Sequence, residues 1–365
     1  MSMGSPGEGA AILALGDFLP PLRFNDWWAD DVVAGWRGRG GLTDPSPPPD
    51  LQVTEGMERT LRAMSDWIRD PFRGVVSRPV MPEGMLTSDM ERMAAEVALE
   101  RAGVDPGSVD FVLQQSSAND YISPQNACLV HRDLGLRRDC LTLGVEGGCD
   151  SFALQLTTAD AILRAGLGST GLLIQSSANS RLVSPGAPYA PWFGDGATAA
   201  VVGRASPGHG ILGRCHQTDG DFFYSNGVGG EGAPWYDGGR ARILVDDPRM
   251  MRRLLLTISD LARVTMSVAL EDAALAPDDV DFYACHQATV WLGDVTKERA
   301  GLHRARTVNT CGKLGSVGAC NVPLVLIQGL RARQLDRGDL VALHAGGAGM
   351  TYSSMVLRWE GAGIE

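Results

Sequence analysis

One fourteen-residue segment occurs twice in this chain, and that recurrence restricts the fold more than any other feature. Residues 98–111 (ALERAGVDPGSVDF) return 171 positions later as residues 269–282 (ALEDAALAPDDVDF), with eight of fourteen positions identical and no gap. Each copy reads as a helix end, a Pro-containing turn and a strand, the strands being Val109 to Gln114 and Val280 to Cys285. A repeat of this length predicts two similar α/β halves fused together, not a short-period solenoid. Strands and helices alternate around the copies. Phe152 to Arg164 is amphipathic and stops at Gly166, Gly171 to Gln175 and Ala197 to Val202 read as buried strands, and Met251 to Ala273 as a long helix. The chain closes with strands at Leu340 to Leu343 and Ser354 to Leu357, separated by Gly346-Gly347-Ala348-Gly349. Apolar strands separated by helices predict mixed sheets covered by helices. Asp44 to Pro49, rich in Pro, and Asn226 to Gly239, rich in Gly, read as loops; the second lacks the ending of a phosphate-binding loop.

Composition removes several function classes. A net charge of −11 over 365 residues argues against general nucleic-acid binding. No run of about eighteen apolar residues predicts a membrane span. The opening segment has no basic region and its apolar stretch is broken by Gly16, Asp17 and Pro20, so no secretory leader is expected. Seven cysteines, at 128, 140, 149, 215, 285, 311 and 320, follow no disulfide spacing, which fits a reducing cytoplasm. Cys285, His286, His303, Cys311 and Cys320 match no paired-ligand zinc pattern, and no metal is expected.

The chemistry centres on Gly147-Gly148-Cys149. The apolar run Cys140 to Val145 stops there and a helical pattern starts at Asp150, so the thiol falls on a helix N-terminus. Unpaired helix N–H groups and the positive end of the dipole favour thiolate over thiol, which predicts a lowered pKa. His286 directly follows the second copy of the repeated strand, and strand C-terminal ends are where open α/β sheets carry functional groups. Two halves related by a pseudo-twofold axis bring those ends together. A Cys–His pair then handles protons in acyl transfer through a thioester.

Further motifs carry a family resemblance. Thr87-Ser88-Asp89, Asn119-Asp120-Tyr121 with Pro124 and Ala127-Cys128, Gly147-Gly148-Cys149, Phe193 to Ala197, His286-Gln287-Ala288, Val322-Pro323 and the glycine turn 346–349 occur in sequence order. From about residue 10 onward the chain resembles the β-ketoacyl-acyl carrier protein synthase III family. The resemblance implies the thiolase fold, a five-layer αβαβα arrangement of two halves (1–203, with Cys149, and 204–365, with His286, Ser316 and the glycine turn), usually a homodimer. It implies that Cys149 accepts an acyl group from coenzyme A or the phosphopantetheine of a carrier protein, without a permanently bound cofactor. The N–H groups of Cys149 and Ala348 would form the oxyanion hole. His286 would assist the second half-reaction, Phe193 to Ala197 would be a structural turn, and Trp67 and Arg73 would lie where relatives contact the donor.

Three positions depart from the family. Ungapped alignment of Gly315 to Pro323 puts Ser316 where condensing relatives carry Asn, and Asn321 five residues further on. Equating Asn321 with that Asn requires a rearranged loop. Ser is shorter, and losing one oxyanion donor costs roughly 10²–10³ in rate. Ser123, before Pro124, stands where relatives place a bulky residue in the partner's acyl pocket, which implies a roomier pocket. Glu146 is either an extra base or a solvated, ion-paired residue. The resulting expectation is an acyltransferase, active in specialised natural-product biosynthesis, in which His286 deprotonates a small hydroxyl or amine acceptor. The alternative is carbon–carbon bond formation of the synthase III type.

Overall fold

The computed structural model describes residues 9–28, 47, 51–184, 187 and 189–364; apart from Pro47, the Asp44–Pro49 loop assignment lies outside them. The first part of the chain supplies β1 (Ala10–Phe18), β2 (Leu22–Phe24), β3 (Ser77–Pro79), β4 (Phe111–Ser116), β5 (Leu141–Gly144), β6 (Thr170–Ala178) and β7 (Asp195–Arg204). The second supplies β8 (Gly210–Thr218), β9 (Gly227–Glu231), β10 (Arg240–Leu244), β11 (Phe282–Cys285), β12 (Leu340–Gly347) and β13 (Thr351–Arg358). One sheet runs β1-β7-β6-β4-β5 and another β11-β12-β13-β8. Both are mixed: β4 is parallel to β5 and β6, β7 antiparallel to β6 and β1, and β11 parallel to β12 but β13 antiparallel to it.

The main helices are α1 (Glu55–Asp66), α2 (Thr87–Ala102), α3 (Ala127–Asp133), α4 (Ser151–Arg164), α5 (Pro248–Asp272), α6 (Leu292–Arg299) and α7 (Asn321–Arg331). The repeat is visible in them. α2 ends on Gly103 in the left-handed conformation, a 3-10 turn Pro106–Ser108 follows, and β4 begins; α5, the turn Pro277–Asp279 and β11 repeat the sequence of elements. α5 starts where Asp247 accepts from the N–H groups of Arg249 and Met250, with Pro248 at the first helical position.

Layering follows from which helix faces are apolar. α2 packs on β1, β6 and β7, α5 packs on β8, β12 and β13, and α4 and α7 lie between the two sheets. The central core joins Phe152, Leu156 and Leu163 of α4 with Val325, Leu326 and Leu330 of α7, and Phe111 and Leu173 of one sheet with Phe282 and Leu343 of the other. The five layers are therefore α, β, α, β, α. β6 and β7 are buried on both faces, as their continuous apolar runs require.

One expectation differs. Five residues of the Gly-rich stretch 226–239 form strand β9, whose Gly227 to Glu231 pair antiparallel with Leu244 to Arg240. A glycine-rich strand has no side-chain alternation, so only the ladder with β10 reveals it.

Candidate active site

β5 ends at Gly144 and α4 begins at Ser151, so the thiol sits on the short 3-10 turn Gly148–Asp150 between them. Local hydrogen bonds shape that turn. Ser151 Oγ donates to the Gly148 carbonyl at 2.7 Å and accepts from the Gly147 N–H at 2.9 Å. Glu146 Oε1 accepts from the Gly148 N–H at 2.7 Å and its Oε2 from Gln115 Nε2 at 3.3 Å, so this carboxylate braces the turn. Gly148 has φ +55°, where a side chain is strained, and a Cβ there would stand 2.8 Å from Ala348 N. A Cβ on Gly347 would stand 1.8 Å from the Gly147 carbonyl oxygen. The glycines thus let the turn after β12 dock directly on the thiol turn, placing the Ala348 amide beside Gly148.

The expected lowering of the thiol pKa is not what the structure shows. Burial pushes the Cys149 thiol up to about 12, and the negative charges of Glu146 and Asp150 add to the shift. Desolvation acts over the whole sulfur, whereas the helix end contributes only partial charges. Cys149 is nevertheless half-buried, not sealed.

His286 immediately follows β11, its N–H donating to the His344 carbonyl of β12 at 2.9 Å. Burial lowers its imidazole to about 4, a contact with the Gly318 backbone acting the other way, so the ring is neutral at pH 7. Asn321 is the first residue of α7, and its Nδ2 donates to His286 Nδ1 at 2.9 Å while its Oδ1 accepts from the Val317 N–H at 2.9 Å. The second bond fixes the amide orientation, so Nδ1 is the accepting nitrogen and Nε2 carries the proton.

Ser316 is buried behind this pair, its Oγ 3.4 Å from Asn321 Nδ2. Ungapped alignment puts Ser316 at the third position, with Asn321 as the alternative; in the structure the hydrogen bond to His286 comes from Asn321. The reason is local. The turn Gly318–Cys320 folds the chain back so that residues 316 and 321 face each other, and ungapped alignment cannot register such a turn. Cys320-Asn321-Val322-Pro323 holds the available signal, because Pro is favoured in a first helical turn and points to a helix start near Asn321. The same turn packs against Gly148–Asp150, and β12 touches both the thiol turn and His286. Thiol and imidazole, 137 residues apart in sequence, are thereby carried on elements that meet.

Comparison with known families places this constellation. The chain matches the model of 3-oxoacyl-[acyl-carrier-protein] synthase III over residues 143–220 and that of the synthase III C-terminal region over residues 270–359. The likeness falls on both sides of the site, the first segment holding Cys149 and the second His286 and Asn321. Among solved structures it is similar to 3-oxoacyl-(acyl carrier protein) synthase III, FabH, from Pseudomonas aeruginosa (24% identity, 98% of this chain and 100% of that one, TM-score 0.77). The synthase III of Thermus thermophilus gives 26% identity, 96% and 100% coverage and a TM-score of 0.76. A Xanthomonas campestris OleA variant crystallised with lauric acid and lauroyl-CoA gives 20%, 97% and 100%, and 0.78.

A cavity of about 600 Å³ opens beside α1 and α6, lined among others by Arg59, Arg62, Trp67, Val290, Trp291 and Asn309. Its wall at Val290 is four residues beyond His286, and Asn309 Nδ2 donates to the Val290 carbonyl at 2.5 Å. Arg73 donates to the Trp67 carbonyl at 3.3 Å and lies 5.7 Å from the Trp192 ring centroid; burial lowers its pKa. The structure therefore brings Trp67 and Arg73 together despite their irregular sequence spacing. Ser123 is exposed beside Tyr121 and Ile122. Phe193 bridges to Ser316, and Asp195 accepts from the Met81 and Ser180 N–H groups at 2.8 Å; Asp195 to Ala197 open strand β7 and pair with β6, so the expected turn over 193–197 is confined to its first two residues. Among the described residues no group of three or more His, Cys, Asp or Glu side chains is placed to hold a metal, and no helix is long and apolar enough to cross a membrane.

Proposed function

We propose that this protein carries an acyl group on Cys149 and joins it to a second thioester-bound substrate by carbon–carbon bond formation. In the first step the Cys149 sulfur attacks the carbonyl of an acyl-coenzyme A or acyl-carrier thioester, the carbonyl oxygen taking negative charge opposite the Cys149 and Ala348 N–H groups. The carbon–sulfur bond to the donor then breaks, and the donor thiolate leaves with the proton that Cys149 gave up. In the second step a malonyl-type thioester loses its carboxylate as carbon dioxide, and the electron pair left behind forms an enolate. That carbon attacks the acyl carbonyl and Cys149 is released as thiolate.

The observation carrying this reading is the Asn321–His286 contact. With Nδ1 occupied by Asn321, the neutral imidazole offers an N–H to the enolate oxygen, a donor's task and not a base's. Removal of the expected Asn from position 316 therefore does not leave the site without one. Acyl transfer to a hydroxyl or amine acceptor is the second reading. It is favoured by the lowered pKa of His286, since a base must be unprotonated at neutral pH. Incubation with an acyl-CoA and a malonyl-carrier thioester distinguishes them: carbon dioxide and a β-ketoacyl product are expected, and product formed on an alcohol or amine without carbon dioxide establishes acyl transfer instead.

A cytoplasmic homodimer divided near residue 203 into its two halves completes the proposal. β5 is the outer strand of its sheet, and Leu141 and Leu143 are 42% and 39% exposed on it, an edge that a second copy would cover. Light scattering is expected to give twice the chain mass, and Leu143→Arg to shift it to the single-chain value.

A further inference from the structure

Asp150 follows the nucleophile directly, yet the steps above give it no task. It is buried. Its Oδ2 accepts a hydrogen bond from the Ser353 hydroxyl of β13 at 2.6 Å, and its Oδ1 is buried with no partner among the described residues. Ser353 Oγ lies 2.7 Å from His216 Nδ1, and His216 Nε2 lies 2.8 Å from Thr157 Oγ1. Because Ser353 gives its proton to Asp150, it accepts from His216 Nδ1–H, and His216 Nε2 accepts from the Thr157 hydroxyl. The donors all point one way, from exposed His216 on β8 to the buried carboxyl.

The charges around Asp150 are few. Its own turn carries Glu146 and Cys149. α4 carries Asp160, held by Arg164 at 3.0 Å and by Arg214 of β8 at 2.9 Å. β12 carries His344, which is hydrogen-bonded to Ser354. Among the described residues no Lys or Arg pairs with Asp150.

We propose that Asp150 is a positioning residue for Cys149, a buried acid whose charge, exchanged with solvent along Ser353 and His216, sets how readily the thiol ionises. The proposal rests on the reading of Cys149 as the nucleophile. An ionised carboxylate one residue away opposes thiolate formation, and a protonated one does not. Burial raises the Asp150 carboxyl to about 7, with the Ser353 and Thr351 hydroxyls opposing the shift, so its charge changes in the range where the enzyme would work. Two interacting groups titrate as a pair, which leaves a signature in the pH profile of thiol reactivity.

The test is the rate of Cys149 alkylation by iodoacetamide from pH 5 to 10. It is read by mass spectrometry on the Cys149 peptide, because Cys128 is also exposed. In the wild type, the logarithm of the rate should climb, flatten into a shoulder near pH 7 as Asp150 ionises, and climb again. Asp150→Asn should follow the wild type at low pH, lose the shoulder, and react about tenfold faster above pH 8, one pKa unit of thiol shift. Ser353→Ala removes a donor to the ionised carboxylate and should move the shoulder to higher pH. A constant offset between Asp150→Asn and wild type at every pH marks a purely structural residue and overturns the proposal. If Asp150→Asn does not fold, an unmoved shoulder in Ser353→Ala overturns it. Failure of Cys149 to take any acyl group would count against the reaction proposed above while leaving the alkylation profile, and Asp150's part in it, intact.

Discussion

Gly347→Ala is expected to cut acyl loading of Cys149 by at least two to three orders of magnitude, the cost typical of losing an oxyanion-hole donor. The added methyl would stand 1.8 Å from the Gly147 carbonyl oxygen and 2.9 Å from the Asp150 N–H nitrogen, both backbone atoms that no rotamer change can move aside. Relief requires the turn after β12 to back away from the thiol turn. That motion separates the Ala348 amide from the Cys149 amide, and the two would no longer converge on one oxygen. Overpacking of this kind also destabilises the fold by about 1–3 kcal/mol. The measurement is the rate at which the acyl adduct appears on Cys149 by mass spectrometry, with iodoacetamide alkylation of the same thiol as control. Loading within tenfold of wild type would rule out this pair of amides as the oxyanion hole. A fall in loading with alkylation preserved locates the defect in the hole and not in the nucleophile.

Asn321→Ala should behave in the opposite way. Loading uses Cys149 and the backbone amides, whereas the hydrogen bonds of Asn321 go to Val317, His286 and Ser316, so the acyl adduct should form at close to the wild-type rate. The second half-reaction is expected to slow by roughly 10²–10³, because His286 loses the contact that fixes its ring and its proton-bearing nitrogen. Ser316→Ala serves as the comparison. Its hydroxyl lies 3.4 Å from the Asn321 amide, and it is Asn321 that bonds His286, so its removal should cost no more than about tenfold, the scale of one neutral hydrogen bond. Single-turnover measurement of product release from pre-acylated enzyme separates the two variants. If Ser316→Ala proves the more damaging, then Ser316 occupies the third position as the ungapped alignment indicates. The contact of Asn321 with His286 would then be structural.

Much of the architecture was legible in the chain alone. The 171-residue repeat announced two related halves, and the apolar runs at 171–175 and 197–202 announced strands buried on both faces. The hydrophobic period of 251–273 announced the long outer helix. These signals are local, and composition and period carry them. The β9–β10 hairpin was missed because its glycines have no period and only cross-strand pairing defines it. In the site, Cys149 and His286 could be singled out from their places at element ends. Asn321 could not, because its proximity to His286 depends on how the turn 317–320 folds back.

The thiol pKa marks the same boundary. A helix N-terminus is readable in sequence and argues for a lowered value; the density of protein around the sulfur is not, and it wins. Asp150 stands beside Cys149 in the sequence, but nothing there links it to Ser353 or His216, which lie 203 and 66 residues further along the chain. By itself, then, the sequence determined the repeated α/β segments and singled out a candidate thiol, a candidate imidazole and the glycine turn, because each is written in short-range pattern. The tertiary structure alone decided which side chain sits against His286 and how strongly burial opposes the thiolate. Those depend on contacts between residues distant in the chain and on the exclusion of water, and no local pattern records either.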